Sequence, residues 1–422
     1  MTTKKASLIE KTIEAYSMAL RSEENLIERA RFHQKIADGY YELAFINHKD
    51  IKSNLEKAIQ AYREALNAYT IEESPKEYAS IQNNISNAYW NLARVKNKTE
   101  NSKKAILFCH EALKVYALEE SPMDYALAQS NLGTAYGILA EVEDKAENSK
   151  KAIRSYQESL KVYTLEESSM NYAMTQNNLG NAYTILAEVE DKAENSRNAI
   201  RSFQESLKVC TLEESSMNYA MTQNNLGIAY WTLAEVEDKA ENSRKALQSY
   251  LEALKVYTLD EFPMYYALIQ NNLGYAYWTL AEVETKAENC RKAIQSCQEA
   301  LSIRTLEDFP MQYAKTQHNL GNAYRILAEV EDKAENCRKA IDACEKALRI
   351  DTLEEFPMDY AETQTILGSA YKTLADAENR SENCRKSEEA FREAIQVWKK
   401  LDSTQKRKMV EEKLSELKSI CN

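Results

Sequence analysis

Eight cysteines and four histidines are the side chains of this 422-residue chain best suited to bind a metal or attack a substrate. Their spacing suits neither task. Cys290 and Cys297 lie seven apart with no histidine near, unlike a zinc spacing. His33, His48, His110 and His318 fall at unrelated points of the chain's repeating pattern. No glycine-rich phosphate loop and no nucleophile motif occurs. Acidic runs such as "LAEVEDKAEN" recur through the middle of the chain and read as a solvated rim. Catalysis needs one irregular constellation rather than several similar ones, so no catalytic residue, cofactor or metal is expected and the chain reads as non-enzymatic. A net charge of −12 opposes nucleic acid, which asks for a basic stripe.

The chemistry that does recur is that of the side-chain amide. "TQNNLGNAY", ending at Tyr183, returns as "TQNNLGIAY", "IQNNLGYAY" and "TQHNLGNAY". Asparagine is a poor helix former, because its side chain competes for backbone groups. One position is nevertheless asparagine six times running: Asn84, Asn131, Asn178, Asn225, Asn272 and Asn319, lapsing to Lys35 and Ile366 at the ends. An amide offers a donor and an acceptor, so a row of them can hold an extended backbone whatever its sequence. The same row can instead bond the neighbouring helix, and duplicated repeats share residues by descent. Both readings stand at this stage.

These residues must be positioned by a repeat. Tyr89, Tyr136, Tyr183, Tyr230, Tyr277, Tyr324 and Tyr371 are 47 apart, with Tyr40 an earlier copy. Six of the eight glycines share one position of the repeat and all five prolines another, so chain-breaking residues are confined to fixed seams. Within Ser168 to Glu214, Leu179, Ala182, Tyr183 and Leu186 mark one helix face, and Ala199, Ile200, Phe203, Ser206 and Leu207 mark a second. Each unit is therefore a helix hairpin that buries its apolar face against its neighbours. The pattern predicts a lone capping helix within 1–24, eight hairpins over 25–400 and a capping helix within 401–422. No apolar run of about 18 residues offers a transmembrane helix, and the N-terminus lacks the apolar core of a secretory signal.

Leu179-Gly180 with Tyr183, then Ala199-Ile200 with Phe203, Ser206 and Leu207, resembles the tetratricopeptide repeat, and seven copies agree in phase. At 47 residues the unit is longer than the usual 34, like the long variety of prokaryotic proteins that is sometimes fused to caspase-like CHAT proteases. The resemblance implies an all-α, right-handed α-solenoid superhelix. It also implies that the stripe bearing the asparagine row lines the concave side, in the manner of the ladders of O-GlcNAc transferase and armadillo-type importins. The stripe adds Asn181 and Asn322, the apolar Leu127, Met174, Met221 and Leu268, and Tyr275 and Lys315. Trp90, Trp231 and Trp278 follow the signature tyrosine at one position. Exposed aromatic and methionine surface marks contact sites, although tryptophan here can equally pack between hairpins.

Cys290, Cys337 and Cys384 share the position of Ser149, Ser196 and Ser243, while Cys109, Cys297 and Cys344 take the core position of Tyr156, Phe203 and Tyr250. Adjacent hairpins lie about 10 Å apart, too far for a disulfide. All eight thiols are thus expected to be reduced, in a cytoplasmic protein. The expected function is a scaffold holding an extended segment of a protein or peptide partner, with no role for nucleic acid or membrane. Alternatives are a co-chaperone that grips acidic chaperone tails, a peptide-sensing receptor, or the regulatory subunit of a separate enzyme such as a CHAT-type protease. The co-chaperone clamp wants cations beside the row. Its companion positions are Asn177, Asn224, Asn271 and His318, with Lys315 the cation of the middle-to-late stripe.

Overall fold

The computed structural model describes residues 2–46 and 50–421, which leaves His48 outside the described residues. Among the described residues there are eighteen α-helices and no strand. Helix α1 spans Thr2–Ser22. The first helices of the hairpins are α2 (Leu26–Ile46), α4 (Pro75–Val95), α6 (Pro122–Ala140), α8 (Ser169–Ala187), α10 (Ser216–Ala234), α12 (Pro263–Ala281), α14 (Pro310–Leu327) and α16 (Pro357–Ala375). Their partners are α3 (Ile51–Ala65), α5 (Lys98–Ala112), α7 (Lys145–Ser159), α9 (Lys192–Leu207), α11 (Lys239–Leu254), α13 (Lys286–Leu301), α15 (Lys333–Leu348) and α17 (Arg380–Lys400), and α18 (Thr404–Cys421) follows. The chain forms two compact units, Met1–Thr211 with α1–α9 and Leu212–Asn422 with α10–α18. Each is a stack of helix pairs, every first helix packed on its own second helix and on the pair beside it in the same unit.

The seams explain why the breakers keep their places. Proline opens α4, α6, α12, α14 and α16, where its missing N–H costs nothing. Within a hairpin the chain reverses through one left-handed residue, such as Asp144 (φ 44°), Asp191 (φ 41°) or Asn379 (φ 44°), a conformation that Asp and Asn tolerate through their short polar side chains. Four residues later an asparagine pins the turn. Asn148 Nδ2 donates to the Glu143 carbonyl at 2.6 Å and Asn242 Nδ2 to that of Glu237 at 2.7 Å. Asn101, Asn195, Asn289, Asn336 and Asn383 repeat the bond. The final asparagine of "EDKAEN" is thus a structural clip.

The two helices of a pair meet closely at the signature glycine. A Cβ on Gly180 would stand 2.6 Å from the Phe203 ring, well inside contact distance, so a side chain there would push the helices apart. In the copy with Ser86 at that position the ring is replaced by the smaller Cys109, with Ser86 Oγ bonded to the Ala105 carbonyl at 2.9 Å. The signature tyrosines carry lysines over their rings: Lys151 Nζ lies 5.6 Å from the centre of Tyr136, and Lys292 lies 5.8 Å from that of Tyr277. The acidic rim is more organised than a solvated one. Glu141 pairs with Lys98 at 2.6 Å and Glu282 with Lys239 at 2.9 Å, each across neighbouring hairpins. These pairs are exposed and worth about 0–1 kcal/mol each.

One expectation is overturned. Cys384 and Cys421 form a disulfide with a Cα–Cα distance of 6.0 Å. Hairpin spacing separates cysteines at the same position of successive repeats, but Cys421 belongs to α18, which is not a repeat helix. That helix packs against α17, burying Val410 and Leu417 with Phe391 and Trp398, and this brings Cys421 within bridging reach. Cys109, Cys210, Cys290, Cys297, Cys337 and Cys344 are free and buried. Burial pushes the Cys290 thiol up to about 12 and that of Cys337 to about 11, so neither is a ready nucleophile.

Candidate functional site

The asparagine row reaches across the seams. Asn131 Nδ2 donates to Asn83 Oδ1 at 2.9 Å, Asn272 Nδ2 to Asn224 Oδ1 at 3.0 Å, and Asn319 Nδ2 to Asn271 Oδ1 at 3.1 Å. In each case the acceptor lies on the preceding first helix. Thr316 Oγ1 adds a second bond to Asn271 at 3.0 Å, and His318 Nδ1 lies 2.9 Å from Thr363 Oγ1. The companion positions of a chaperone clamp are therefore engaged between helices at Asn224, Asn271 and His318. Asn84 and Asn225 are half-buried. At Asn178 the companion is Ser130, and no bond joins the two.

Asn178 instead borders a cavity of about 260 Å³ in the first unit, with Thr134, Ile138, Asn181 and Ile185 from α6 and α8, and Arg94, Glu141 and Tyr156 also lining it. Asn181 makes only a long 3.4 Å bond to Asn177 Oδ1, while Tyr156 donates to Thr134 Oγ1 at 3.1 Å. The same two helices expose Leu127 (44%) and Met174 (51%). In the second unit Met221 is exposed on α10 and Leu268 is half-buried on α12. Asn322 is buried and accepts a bond from Arg325 Nε at 2.9 Å. The tryptophans turn toward protein: Trp231 stands 4.5 Å from Tyr275, itself 4.5 Å from Trp278, and Arg94 lies over Trp90.

A second cavity, about 210 Å³, lies in the second unit and has different chemistry. Asn271, Tyr275, Lys315, His318, Asn319, Asp351, Asp359 and Glu362 line it. Asp351 is only 6% exposed, and no side-chain hydrogen bond or ion pair within the protein reaches its carboxylate. Burial pushes that carboxyl up to about 6, with Asp359 adding to the shift and Lys315 opposing it. Burial also holds the His318 imidazole below its ordinary value. Glu362 is paired with Lys406 of α18.

Reading the stripe for recurring residues found Tyr275, Lys315 and Asn319 but missed the acids. Their signal was departure from the repeat. Asp351 occupies the position of Tyr116, Tyr163 and Tyr257, and Glu362 that of Leu127, Met174, Met221 and Leu268. Arg304 is a third such departure at the tyrosine position, buried and bonded through Nη1 to Thr316 Oγ1 at 3.1 Å.

Among the described residues, no group of His, Cys, Asp or Glu could hold a metal ion. No helix among them is long and apolar enough to cross a membrane. No curated protein matches the chain. Solved structures similar to it include the apo form of RapI, with 14% identity, 98% of each chain covered and a TM-score of 0.49. The apo form of the quorum sensor NprR from B. thuringiensis has 15% identity, covers 90% of this chain and 97% of its own, and has a TM-score of 0.48. The C-terminal part of a TPR repeat-containing protein from Cytophaga hutchinsonii has 14% identity, covers 74% and 95%, and has a TM-score of 0.42. Residues 314–351 match the family model described as the tetratricopeptide repeat. The leucine, glycine and tyrosine of that segment, Leu320, Gly321 and Tyr324, recur in phase along the chain, so the segment that matches the tetratricopeptide repeat is one copy of the chain's repeating unit.

Proposed function

We propose that the protein is a non-catalytic interaction scaffold that holds an extended peptide segment of a partner along the exposed stripe of its first helices. The observation that carries this reading is the pairing of exposed apolar side chains, Leu127 and Met174, with the cavity bordered by Asn178 and Asn181 on the same two helices. Apolar surface of this kind favours side-chain contacts, and an amide free of the seam can donate to and accept from one peptide unit. The tied asparagines contribute differently. Asn131, Asn272 and Asn319 each direct an N–H of Nδ2 into the seam, which fixes the amide plane for any contact its remaining atoms make.

The test is selection from a displayed library of unstructured twelve-residue peptides on the full chain. Enrichment of peptides with apolar residues at alternate positions is expected. Joint Leu127→Ser and Met174→Ser substitution should weaken the selected peptides by at least tenfold. Asn178→Ala should weaken them by roughly twofold to tenfold, the worth of one hydrogen bond. A library that enriches nothing, or peptides indifferent to the apolar pair, would overturn the reading.

A further inference from the structure

The cavity of the second unit is one positive charge short. Asp351, Asp359 and Glu362 bring three carboxylates, while Lys315 lines the space and Lys406 reaches Glu362 from α18. His318 is half-buried, and desolvation holds its imidazole below its ordinary value, which favours the neutral form. With Glu362 taken by Lys406, Lys315 alone faces Asp351 and Asp359, and it forms an ion pair with neither. Asp351, a residue more than nine-tenths buried, therefore borders an open cavity with no hydrogen-bond or ion-pair partner for its carboxylate in the protein. An unpaired buried charge is costly, and sibling repeats avoid the cost by carrying Tyr116, Tyr163 or Tyr257 there.

The lining says what kind of partner is missing. The titratable side chains do not converge as a metal cage requires. Tyr275 is among the lining groups, aromatic rings attract cations, and the space exceeds that of a bare ion. We infer that this cavity is a binding site for one organic cation, a primary ammonium or guanidinium group, seated on Asp351. This goes beyond the peptide reading, because the cavity can be tested with small cations that touch nothing on α6 or α8.

Calorimetry on the full chain with n-butylguanidinium and n-butylammonium chloride, against sodium chloride at matched ionic strength, is the direct experiment. Saturable one-to-one binding in the millimolar range is expected. Asp351→Asn should weaken it at least tenfold, and Asp351→Tyr, which installs the sibling residue, should abolish it. Lys315→Met, the residue of Met221 at that position, should tighten it several-fold by removing the competing cation. Thermal melts of each variant establish that it is folded. The capped peptide acetyl-Ala-Ala-Arg-Ala-Ala-amide separates the two sources. Tighter binding than butylguanidinium identifies an arginine side chain of a peptide, and weaker binding a free amine or guanidine. No saturable binding above the salt control, or equal binding by Asp351→Asn, overturns the inference whatever the peptide library yields.

Discussion

The two cavities occupy related parts of the repeat and have opposite character. That of the first unit is lined by the neutral Asn178, Asn181, Thr134, Ile138 and Ile185, with one cation and one acid, Arg94 and Glu141, that balance in charge. That of the second unit is acidic, built on Asp351, Asp359 and Glu362. The backbone frame is shared, since the same glycine, tyrosine and turn asparagine recur in both units. The difference comes from single substitutions at positions that the frame leaves free. A repeat protein writes its scaffold in what recurs and its chemistry in what departs.

The largest expected effect breaks the symmetry of the units. Only the second has a covalent clasp among the described residues, between cysteines 37 apart in sequence. The loop-closure argument gives the bond about 4 kcal/mol. Cys421→Ser should therefore lower the stability of the second unit by roughly 2–4 kcal/mol, read as faster amide exchange in α17 and α18, with α4–α8 unchanged. Thiol titration of protein unfolded without reductant should find six free thiols rather than eight.

The acidic cavity should also give the second unit a pH dependence. The Asp351 carboxyl is raised from an ordinary value of 3.8 to about 6 in the folded protein, so the folded state binds its proton more tightly than the unfolded state does. The stabilisation this provides is fully present below about 4 and is lost as pH rises through about 6. Asp351→Asn should therefore raise the melting temperature by a few degrees at pH 7 and leave it nearly unchanged at pH 4. Lys315, Asp359 and the Glu362–Lys406 pair surround the same carboxyl. Lys315→Met should accordingly move the midpoint upward, because the nearby cation opposes the shift.

Most of the frame was legible in the sequence because it is redundant. Leu179, Gly180, Tyr183 and Phe203 each have siblings that vote for the same helix face, and a close approach such as Gly180 on Phe203 leaves little freedom. The disulfide was not legible, because Cys421 has no sibling and its neighbour is set by how α18 folds back on α17. The seam bonds of the asparagine row were half legible. The row itself is plain, but its acceptor lies 48 residues earlier, one step off the 47-residue period. A comparison of like positions passes over that pairing. Asp351 was overlooked for the converse reason: attention to recurrence discards the copies that differ.

The smallest effect sharpens the comparison most, because it sets two members of one row against each other. Asn131 is tied to Asn83 in a buried seam, whereas Asn178 has Ser130 at the matching position, makes no bond to it, and borders the open cavity. Asn131→Ala strands the Asn83 carbonyl oxygen without its donor, at a cost of about 1–3 kcal/mol, partly offset by the better helix propensity of alanine. Asn178→Ala loses no bond within the protein and keeps the propensity gain, so its stability should be unchanged or higher by a few tenths of a kcal/mol. Denaturant titration of the two variants measures the difference, and library peptides measure the reverse. Asn178→Ala should be the one that loses peptide affinity. Equal destabilisation by both substitutions would mean that Asn178 also serves the seam, and the neutral cavity would then lose its claim to be the place where the scaffold reads a backbone.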